Sequence, residues 1–328
     1  MRTAETVLGV IRERGRRRMP LEDVYRQLYN PNLYLRAYAR LYANAGATTP
    51  GVTEETVDGM SLAKIERLIA ELRQERYRWT PVLRTYIPKR NGKSRPIGMP
   101  TWSDKLLQEV IRSILEAYYE PQFSDHSHGF RPNRGCHTAL REIERTWKGT
   151  RWFIEGDIKG CFDNIDHDVL MRILAENLHD NRFLRLVQHL LQAGYLEQWR
   201  YHASLSGTPQ GGVASPILAN IYLDKLDDFV EQQLIPDYTR GKARSANKPY
   251  RTLMWQSYSQ AVQGNMDVAK QLRRQAQQLP SLDPDDLAYR RLRYIRYADD
   301  ILLGFAGPKS EAEEIKQQLA KYLHETLK

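Results

Sequence analysis

The stretch Leu292–Phe305 reads LRYIRYADDILLGF, two strand-like runs joined through Tyr-Ala-Asp-Asp. Runs rich in aromatic and branched residues on either side of a short polar junction predict a β-hairpin. The junction places Asp299 and Asp300 at the turn. Aspartate is common in turns because its side chain hydrogen-bonds the local backbone, so this stretch alone indicates a hairpin and no more.

A second strand-like run, Trp152–Asp157, also ends in an acid. If this strand joins the hairpin in one sheet, Asp157, Asp299 and Asp300 meet at one end of it. Three carboxylates held together can bind two divalent cations about 4 Å apart, the arrangement used for in-line phosphoryl or nucleotidyl transfer. Mg²⁺ suits such a site because it is a hard ion that takes a few carboxylates together with substrate phosphates. Mn²⁺ is the alternative ion.

The 328-residue chain is basic, with 49 Lys and Arg against 40 Asp and Glu, and the positive residues occur in clusters. The chain also has 19 tyrosines, many of them near these clusters. Positive charge beside aromatic rings is typical of a nucleic-acid groove, with a merely solvated basic surface as the alternative. The candidate nucleic-acid-binding residues are Arg12, Arg16, Arg17, Arg18, Arg131 and Arg134.

Other classes are excluded by the same composition. Two cysteines, Cys136 and Cys161, are too few for a disulfide framework and too far apart for a zinc knuckle. No apolar run is long enough to span a bilayer, and no signal-peptide pattern opens the chain. We therefore expect a cytoplasmic protein with no membrane partner.

Hydrophobic periodicity predicts an α+β fold in three parts. Residues 1–82 read as a helical extension that includes a helix over Met60–Trp79, and residues 83–150 read as a basic hairpin followed by helices. From 151 to 328 strands and helices alternate, with a strand-like stretch that reaches Leu205.

Two features interrupt the third part. Residues 236–291 are polar and basic, and they read as a surface insertion with one helical stretch near Leu253–Leu279. The chain then ends inside a predicted helix, Ser310–Leu327, without a capping glycine. That ending suggests a fragment of a longer polypeptide.

Two further segments have ligand-binding character. Tyr86–Lys89 and Arg95–Met99 read as short strands joined through Asn91-Gly92, and a basic hairpin of this kind can fold over a phosphate chain. Ser206–Pro216 contains three glycines, which let the backbone approach a ligand closely, and Gln210 between them can reach a base or sugar edge. The alternative for this second segment is a plain loop that leads into a capped helix.

Taken in order, these blocks resemble the reverse transcriptases, and specifically those encoded by group II introns. The resemblance covers nearly the whole chain. It is carried by the acid blocks, by the glycine loop and by two further stretches, Ile87–Thr101 (IPKRNGKSRPIGMPT) and Ser127–Arg134 (SHGFRPNR) followed by Ala139-Leu140. Tyr-x-Asp-Asp alone would not be specific, whereas the combination is.

The resemblance implies a right-hand polymerase with fingers, an antiparallel palm sheet and a helical N-terminal extension, and without a thumb. Asp157, Asp299 and Asp300 would be the catalytic metal ligands, joined by the main-chain carbonyl of Ile158. Phe162 would fill the volume of a ribose 2′-hydroxyl. The residues in contact with the incoming dNTP would be Lys89, Arg95, Phe162 and Gln210.

The implied partners are intron RNA, an RNA template, a DNA primer and dNTPs. Whether the chain acts alone or as a homodimer stays open. One alternative is a non-catalytic RNA-binding maturase module, which predicts damaged acids, whereas all three acids are present. The other alternative is a retron, diversity-generating or CRISPR-associated reverse transcriptase. Without a thumb, we expect this chain to be a weak polymerase.

Overall fold

The computed structural model describes residues 2–44, 46–88, 92, 94–158, 160–208 and 211–328. The α-helices, in chain order, are α1 (Ala4–Arg16), α2 (Val24–Gln27), α3 (Pro31–Tyr42), α4 (Leu62–Arg73), α5 (Trp102–Tyr119), α6 (Cys136–Thr146), α7 (Cys161–Asn164), α8 (His167–Ala175), α9 (Asn181–Leu191), α10 (Ser215–Phe229), α11 (Ile235–Asp237), α12 (Lys248–Val262), α13 (Met266–Gln277) and α14 (Lys309–Tyr322). The strands are β1 (Val82–Pro88), β2 (Ser94–Met99), β3 (Trp152–Asp157), β4 (Tyr195–Glu197), β5 (Arg200–His202), β6 (Arg291–Tyr297) and β7 (Asp300–Ala306). Turns of π-helix at Val230–Leu234 and Leu323–Leu327 extend α10 and α14. This mixture of helices and mostly antiparallel strands confirms the predicted α+β class.

Helix α5 is the centre of the N-terminal half. Thr101 caps its first turn by accepting a hydrogen bond from the Asp104 N–H, and the helix is buried on nearly all sides. Helices α1, α3 and α10 pack around it. Each fully buried Leu or Ile on such a helix contributes about 1.5–3 kcal/mol relative to exposure. One hydrophobic cluster runs from Ala4 to Leu327, so the N-terminal extension shares its core with the rest of the chain.

The predicted basic hairpin is formed by β1 and β2, with Ile87 opposite Arg95. Strand β1 also pairs in parallel with β4, which pairs with β5, and the sheet order is β2-β1-β4-β5. The strand-like stretch predicted to reach Leu205 is shorter, because β5 ends at His202. The chain leaves the sheet there to meet another loop, where Ser206 Oγ donates a hydrogen bond to the Asp163 carbonyl.

A second sheet has the order β3-β7-β6 and is antiparallel throughout. Successive side chains of a strand face opposite sides. Tyr294 and Leu303 accordingly lie in the main core, while Ile295 and Leu302 pack with Trp147 on the other face. Both faces of the sheet are covered, and its end at the β6–β7 turn carries the acids.

Two predicted helices have other bounds in the structure. The helix predicted over Met60–Trp79 is α4, which begins after its Ser61 cap and ends before Glu75. Glu75 has φ 55°, in the left-handed region that does not continue a helix. The single helical stretch predicted near Leu253–Leu279 is two helices, α12 and α13, which pack against each other. Gly264, with φ 86°, makes the turn between them.

Helix α1 has no counterpart among the sequence predictions, which treat residues 12–18 only as a cluster of positive charge. Thr3 caps the helix, and Val7, Leu8 and Ile11 are buried on one side of it. That side packs on α5. Apolar residues at helical spacing before the charged cluster are the signal that predicts this helix.

Residues 236–290 lie outside the two sheets, whereas Arg291, the last residue of the predicted insertion, begins β6. Arg240 and Arg290 pair at the base of the segment, and α12 and α13 lie beyond them. The buried Ser257 Oγ joins the two helices by donating to the Ala269 carbonyl at 2.7 Å. Neither these helices nor the others in the described part of the chain combine the length and the apolar character needed to cross a membrane.

Candidate active site

The three predicted acids meet at one end of the three-stranded sheet. Asp157 is the last residue of β3 and lies directly opposite Asp300, the first residue of β7. Asp299 belongs to the two-residue turn that precedes Asp300, since Tyr297 pairs with Asp300 across it. The backbone of Ile158 reaches the same turn and donates its N–H to the Asp299 carbonyl at 3.4 Å. The fold thus joins two acidic segments that are far apart in sequence.

Negative charge accumulates at this end of the sheet. Partial burial, and then the charges of Asp299 and Asp157, raise the pKa of Asp300. Burial, and then the charge of Asp299, raise the pKa of the neighbouring Cys161 thiol to about 12. A raised pKa favours the neutral thiol, which is a weak nucleophile.

The donor chemistry of the three acids fits a divalent cation, but their side chains are not arranged as a finished ligand set. Among the residues that the structure describes, no three acidic, histidine or cysteine side chains are close enough together to hold a metal ion. Like charges repel, which favours splayed carboxylates, whereas a hard cation takes several carboxylate oxygens at once. The register of the strands brings the backbones of Asp157, Asp299 and Asp300 together, so a cation held by these residues would need their side chains to turn toward one another.

The turn between β6 and β7 is held by a buried arginine. Ala298 has φ 57°, a left-handed conformation that costs a residue with a Cβ about 1–2 kcal/mol. Its carbonyl accepts a hydrogen bond from Arg296 Nη1 at 2.8 Å. Because Ala298 immediately precedes Asp299, this bond fixes the backbone from which the acids project.

Arg296 is in turn neutralised by Asp227 of α10. Nε and Nη2 of Arg296 donate to the two carboxylate oxygens at 2.8 and 2.6 Å, and Tyr294 Oη donates to the same carboxylate at 2.6 Å. Burial opposes the positive charge, but the Asp227 carboxylate outweighs it and raises the pKa of Arg296. Arg296 also donates to Asn220 Oδ1 and to Ser127 Oγ. Its guanidinium therefore joins α10, the Ser127 segment and the acidic turn.

The Ser127–Arg134 block lies against the same turn. The His128 N–H donates to the Arg296 carbonyl at 2.9 Å, and Asn220 Nδ2 donates to the Gly129 carbonyl at 2.9 Å. A Cβ at Gly129 would collide with the backbone nitrogen of Ala298. Glycine is required here because the two backbones pack directly on each other.

Phe162 lies on the short helix α7, which follows Gly160 in a left-handed conformation. The ring is half-buried, and it meets the ring of Phe130 edge to face with centroids 6.1 Å apart. Phe130 is itself exposed. Phe162 and Phe130 therefore form a pair of rings, one half-buried and one exposed.

The glycine loop packs between the Phe162 segment and the basic hairpin. Thr208 donates its N–H to the Phe162 carbonyl at 2.6 Å, and a Cβ at Gly211 would lie 2.5 Å from the Gly98 carbonyl of β2. The buried Gln108 side chain accepts hydrogen bonds from the backbone N–H groups that follow, at 213 and 214. The predicted dNTP contacts Lys89 and Gln210 lie outside the described residues.

The predicted basic residues differ in their surroundings. Arg12, Arg16, Arg17 and Arg18 are exposed on α1 and just beyond it, and Arg95 is exposed on β2. Arg134 forms an ion pair with Asp125 at 2.6 Å.

Arg131, also predicted to bind nucleic acid, has surroundings that differ from those of the exposed arginines. Arg131 is buried, forms an ion pair with Glu120 at 3.0 Å and donates to the Ser127 carbonyl at 2.7 Å. Its guanidinium also lies over the Phe123 ring. These contacts give Arg131 a structural role.

The residues that position the turn were missed by the sequence reasoning. Arg296 follows Leu292 and Tyr294 at alternate positions, on the side of β6 that faces the core. Asn220 and Asp227 lie seven residues apart on one face of α10. A charge on the inward side of a strand, matched by polar residues on the inward side of a helix, is the signal that could have found the pair.

An antiparallel sheet with three acids at its end, beside a glycine loop and a basic hairpin, is consistent with the fingers and palm of a polymerase fold. Residues 87–327 match the model of the reverse transcriptase (RNA-dependent DNA polymerase) family. The chain belongs to that family. The match includes the acids, the Phe162 segment and the Arg296 network.

The chain is also similar to individual proteins. The chain is 43% identical over 312 residues to the group II intron-encoded protein LtrA of Lactococcus lactis subsp. cremoris, which covers 93% of this chain and 52% of LtrA. It is 31% identical over 321 residues to protein YkfC of Escherichia coli K12, covering 94% and 77% of the two chains. A solved partial Cas6-RT-Cas1–Cas2 complex aligns with a TM-score of 0.46 at 16% identity, over 93% of this chain and 43% of that one. The chain spans about half the length of LtrA, and the 43% identity confirms the predicted resemblance to group II intron-encoded proteins.

Proposed function

We propose that this chain is the fingers and palm portion of a group II intron-type reverse transcriptase, which copies an RNA template into DNA. In this proposal residues 1–82 are an N-terminal extension, 83–150 the fingers and 151–328 the palm. Family membership and the similarity to LtrA support it. The observation that carries it is the register that sets Asp157 opposite Asp300, with Asp299 in the adjoining turn.

The acids would hold two divalent ions, Mg²⁺ or Mn²⁺, together with the main-chain carbonyl of Ile158. When bound, such ions activate the primer hydroxyl and neutralise the charge on the leaving pyrophosphate. The chain supplies the oxygen ligands. It also fixes the backbone from which the Asp299 and Asp300 side chains project, because Arg296 donates a hydrogen bond to the Ala298 carbonyl in the adjoining turn. Preorganised placement of this kind removes reorganisation from the reaction step.

The deoxynucleotide would lie between the acids, the Phe162 ring and the basic hairpin. Phe162 is held from two sides, since its carbonyl binds Thr208 and its ring meets Phe130. A ring fixed in this way can exclude a 2′-hydroxyl by volume. Lys89 and Arg95 would contact the triphosphate, and Gln210 the nascent base pair.

The nucleic-acid partners would be the RNA template, the DNA primer and, in a maturase role, the intron RNA. The exposed arginines of the N-terminal extension would contact phosphates. Arg16 and Arg17 form ion pairs with Glu13, but both pairs are exposed to solvent. An exposed pair contributes about 0–1 kcal/mol, so exchanging Glu13 for a phosphate costs little. Arg134, whose partner Asp125 is exposed, can exchange in the same way.

Primer extension with metal titration tests the polymerase proposal. Asp299→Asn is expected to abolish extension and to weaken Mn²⁺ binding, measured separately by calorimetry, while RNA affinity stays within about twofold because affinity comes from Lys and Arg contacts with phosphates. Asp168→Asn, at an exposed aspartate on α8, is the matched control and should leave all three quantities unchanged. Extension that survives Asp299→Asn would refute the assignment. Wild-type chain that binds RNA but extends no primer would favour the non-catalytic maturase alternative.

A further inference from the structure

Helix α12 exposes large apolar side chains along one line. Trp255 is 69% exposed, Tyr258 71% and Val262 71%. Lys248 and Arg251, both exposed, precede them at the same alternating spacing of three and four residues. Residues at this spacing project from one side of a helix. These five side chains form a single surface, the α12 stripe.

The stripe is not the face that holds α12 against α13. That face contains Ser257, which donates to the Ala269 carbonyl, and its neighbours Leu253 and Ala261 are half-buried. At 3.6 residues per turn, the centre of the stripe lies about 140°, or two-fifths of a turn, away from Ser257. The exposed rings of the stripe do not contribute to the packing of α12 on α13. A contiguous exposed apolar patch of this kind marks an interaction site.

The charge around the stripe identifies the kind of partner. Helix α12 contains no Asp or Glu, and α13 adds Lys270, Arg273 and Arg274 against the single acid Asp267. The core of a protein–protein interface is enriched in aromatic residues and arginine but depleted of lysine, and Lys248 belongs to this stripe. Exposed aromatic rings interspersed with cations are instead the platform on which proteins bind single-stranded nucleic acid.

We propose that the α12 stripe binds unpaired nucleotides of a nucleic-acid strand. Trp255 and Tyr258 stack on bases, and Lys248 and Arg251 contact the adjoining phosphates. The two rings are three residues apart, a rise of about 4.5 Å along the helix, which neighbouring splayed bases of one strand can span. Among the described elements α12 packs chiefly on α13, so the stripe lies outside the sheet that carries the acids. The inference does not depend on the proposed polymerase function, because stacking needs neither metal nor dNTP.

Fluorescence anisotropy on the full 328-residue chain, without divalent metal, provides the test. The probes are a labelled 12-nucleotide RNA, a DNA of the same sequence and the corresponding blunt duplex RNA. Trp255→Ala/Tyr258→Ala is expected to weaken binding of the single strands by about 10- to 100-fold and to leave the duplex within about twofold. Trp255→Phe/Tyr258→Phe keeps aromatic rings and should retain affinity within about threefold. Gln256→Ala, at an exposed position off the stripe, is the matched control.

Photo-crosslinking locates the contact directly. Single-stranded RNA with 4-thiouridine should crosslink to the peptide that contains Trp255 and Tyr258 in the wild type. Circular dichroism establishes that each variant is folded. A loss in the alanine double variant no larger than that of Gln256→Ala, or crosslinks that map only elsewhere, would overturn the proposal. So would a wild-type chain that self-associates in sedimentation while the alanine double variant does not and still binds single strands normally, because the stripe would then be a contact between two copies.

Discussion

The buried ion pair between Arg296 and Asp227 gives the sharpest stability prediction. The side chains of Arg296 and Asp227 are 0% and 1% exposed, and two hydrogen bonds of 2.8 and 2.6 Å join them. Asp227→Asn keeps the shape of the side chain but leaves the guanidinium buried without its counter-charge. Breaking a buried pair in this way costs about 3–5 kcal/mol. We expect the lower end, about 3 kcal/mol, because asparagine still accepts one hydrogen bond and Asp224 can take over part of the charge.

Urea unfolding of Asp227→Asn and of a matched surface variant measures this cost. Arg151 and Asp285 form an ion pair of the same 2.6 Å length, but their side chains are 46% and 74% exposed. Asp285→Asn should therefore cost about 1 kcal/mol or less. If the two variants unfold at the same urea concentration, the reasoning that burial makes the first pair essential is wrong.

A kinetic readout separates positioning from stability. Because Arg296 also binds the Ala298 carbonyl, Asp227→Asn should lower the kcat of primer extension by about 10- to 100-fold with little change in the KM for dNTP. The double variant Asp227→Asn/Arg296→Met removes the unpaired charge and should recover most of the stability. It should not recover kcat, since the bond to Ala298 is gone. Recovery of both would contradict the positioning role.

Three other changes have defined outcomes. Phe162→Ala should raise ribonucleotide incorporation relative to deoxynucleotide by at least about tenfold in steady-state assays, because the ring no longer excludes the 2′-hydroxyl; an unchanged ratio would assign Phe162 to packing alone. Gly129→Ala should lower both thermal stability and kcat, because its Cβ collides with the Ala298 backbone; Gly9→Ala, where a Cβ meets nothing within 4 Å, is the control. Burial, and then the charges of Asp227 and Asp228, raise the pKa of Asp224 from 3.8 to about 7. The folded chain therefore holds the Asp224 proton more tightly than the unfolded chain, so the free energy of unfolding should fall between about pH 4 and pH 7, by up to about 4 kcal/mol, and Asp224→Asn should flatten that dependence in urea titrations; an equally steep profile in the variant would show that other groups cause it.

The acidic hairpin was predictable because its signals are local. The alternation on both sides of Asp299 and Asp300 specifies two strands and a short turn, and the structure has both. The strand that ends at Asp157 was equally clear. That this strand pairs with β7, with Asp157 opposite Asp300, follows from no local pattern. It was expected only because three acids in one place make chemical sense and because the ordered blocks resemble a known family.

The role of an individual arginine was much harder to predict. Arg131 and Arg134 occupy one basic block, yet Arg131 is buried on Glu120 and Arg134 pairs with an exposed acid. Arg296 was regarded as part of a strand and is the most connected charge near the site. A cluster in the sequence shows only that positive charges are present. Whether a given arginine is free to bind nucleic acid depends on whether the fold places it against a buried carboxylate, and this depends on tertiary structure.

The Arg296 network explains how the turn that carries Asp299 and Asp300 keeps its conformation although its charges and its backbone geometry are destabilising. Three carboxylates share the sheet end, where burial and then the charges of Asp299 and Asp157 raise the pKa of Asp300, and Ala298 holds a strained backbone conformation. Charge repulsion and backbone strain both favour a different conformation of this turn, and hydrogen bonds within the turn alone would not prevent the change. Arg296 prevents this because displacing the turn would break its bonds to three parts of the chain and leave a buried charge unpaired. The buried pair thus contributes a fixed geometry more than net stability. In the proposed reaction, that geometry would have to persist while the charge around Asp157 and Asp299 changes in each round.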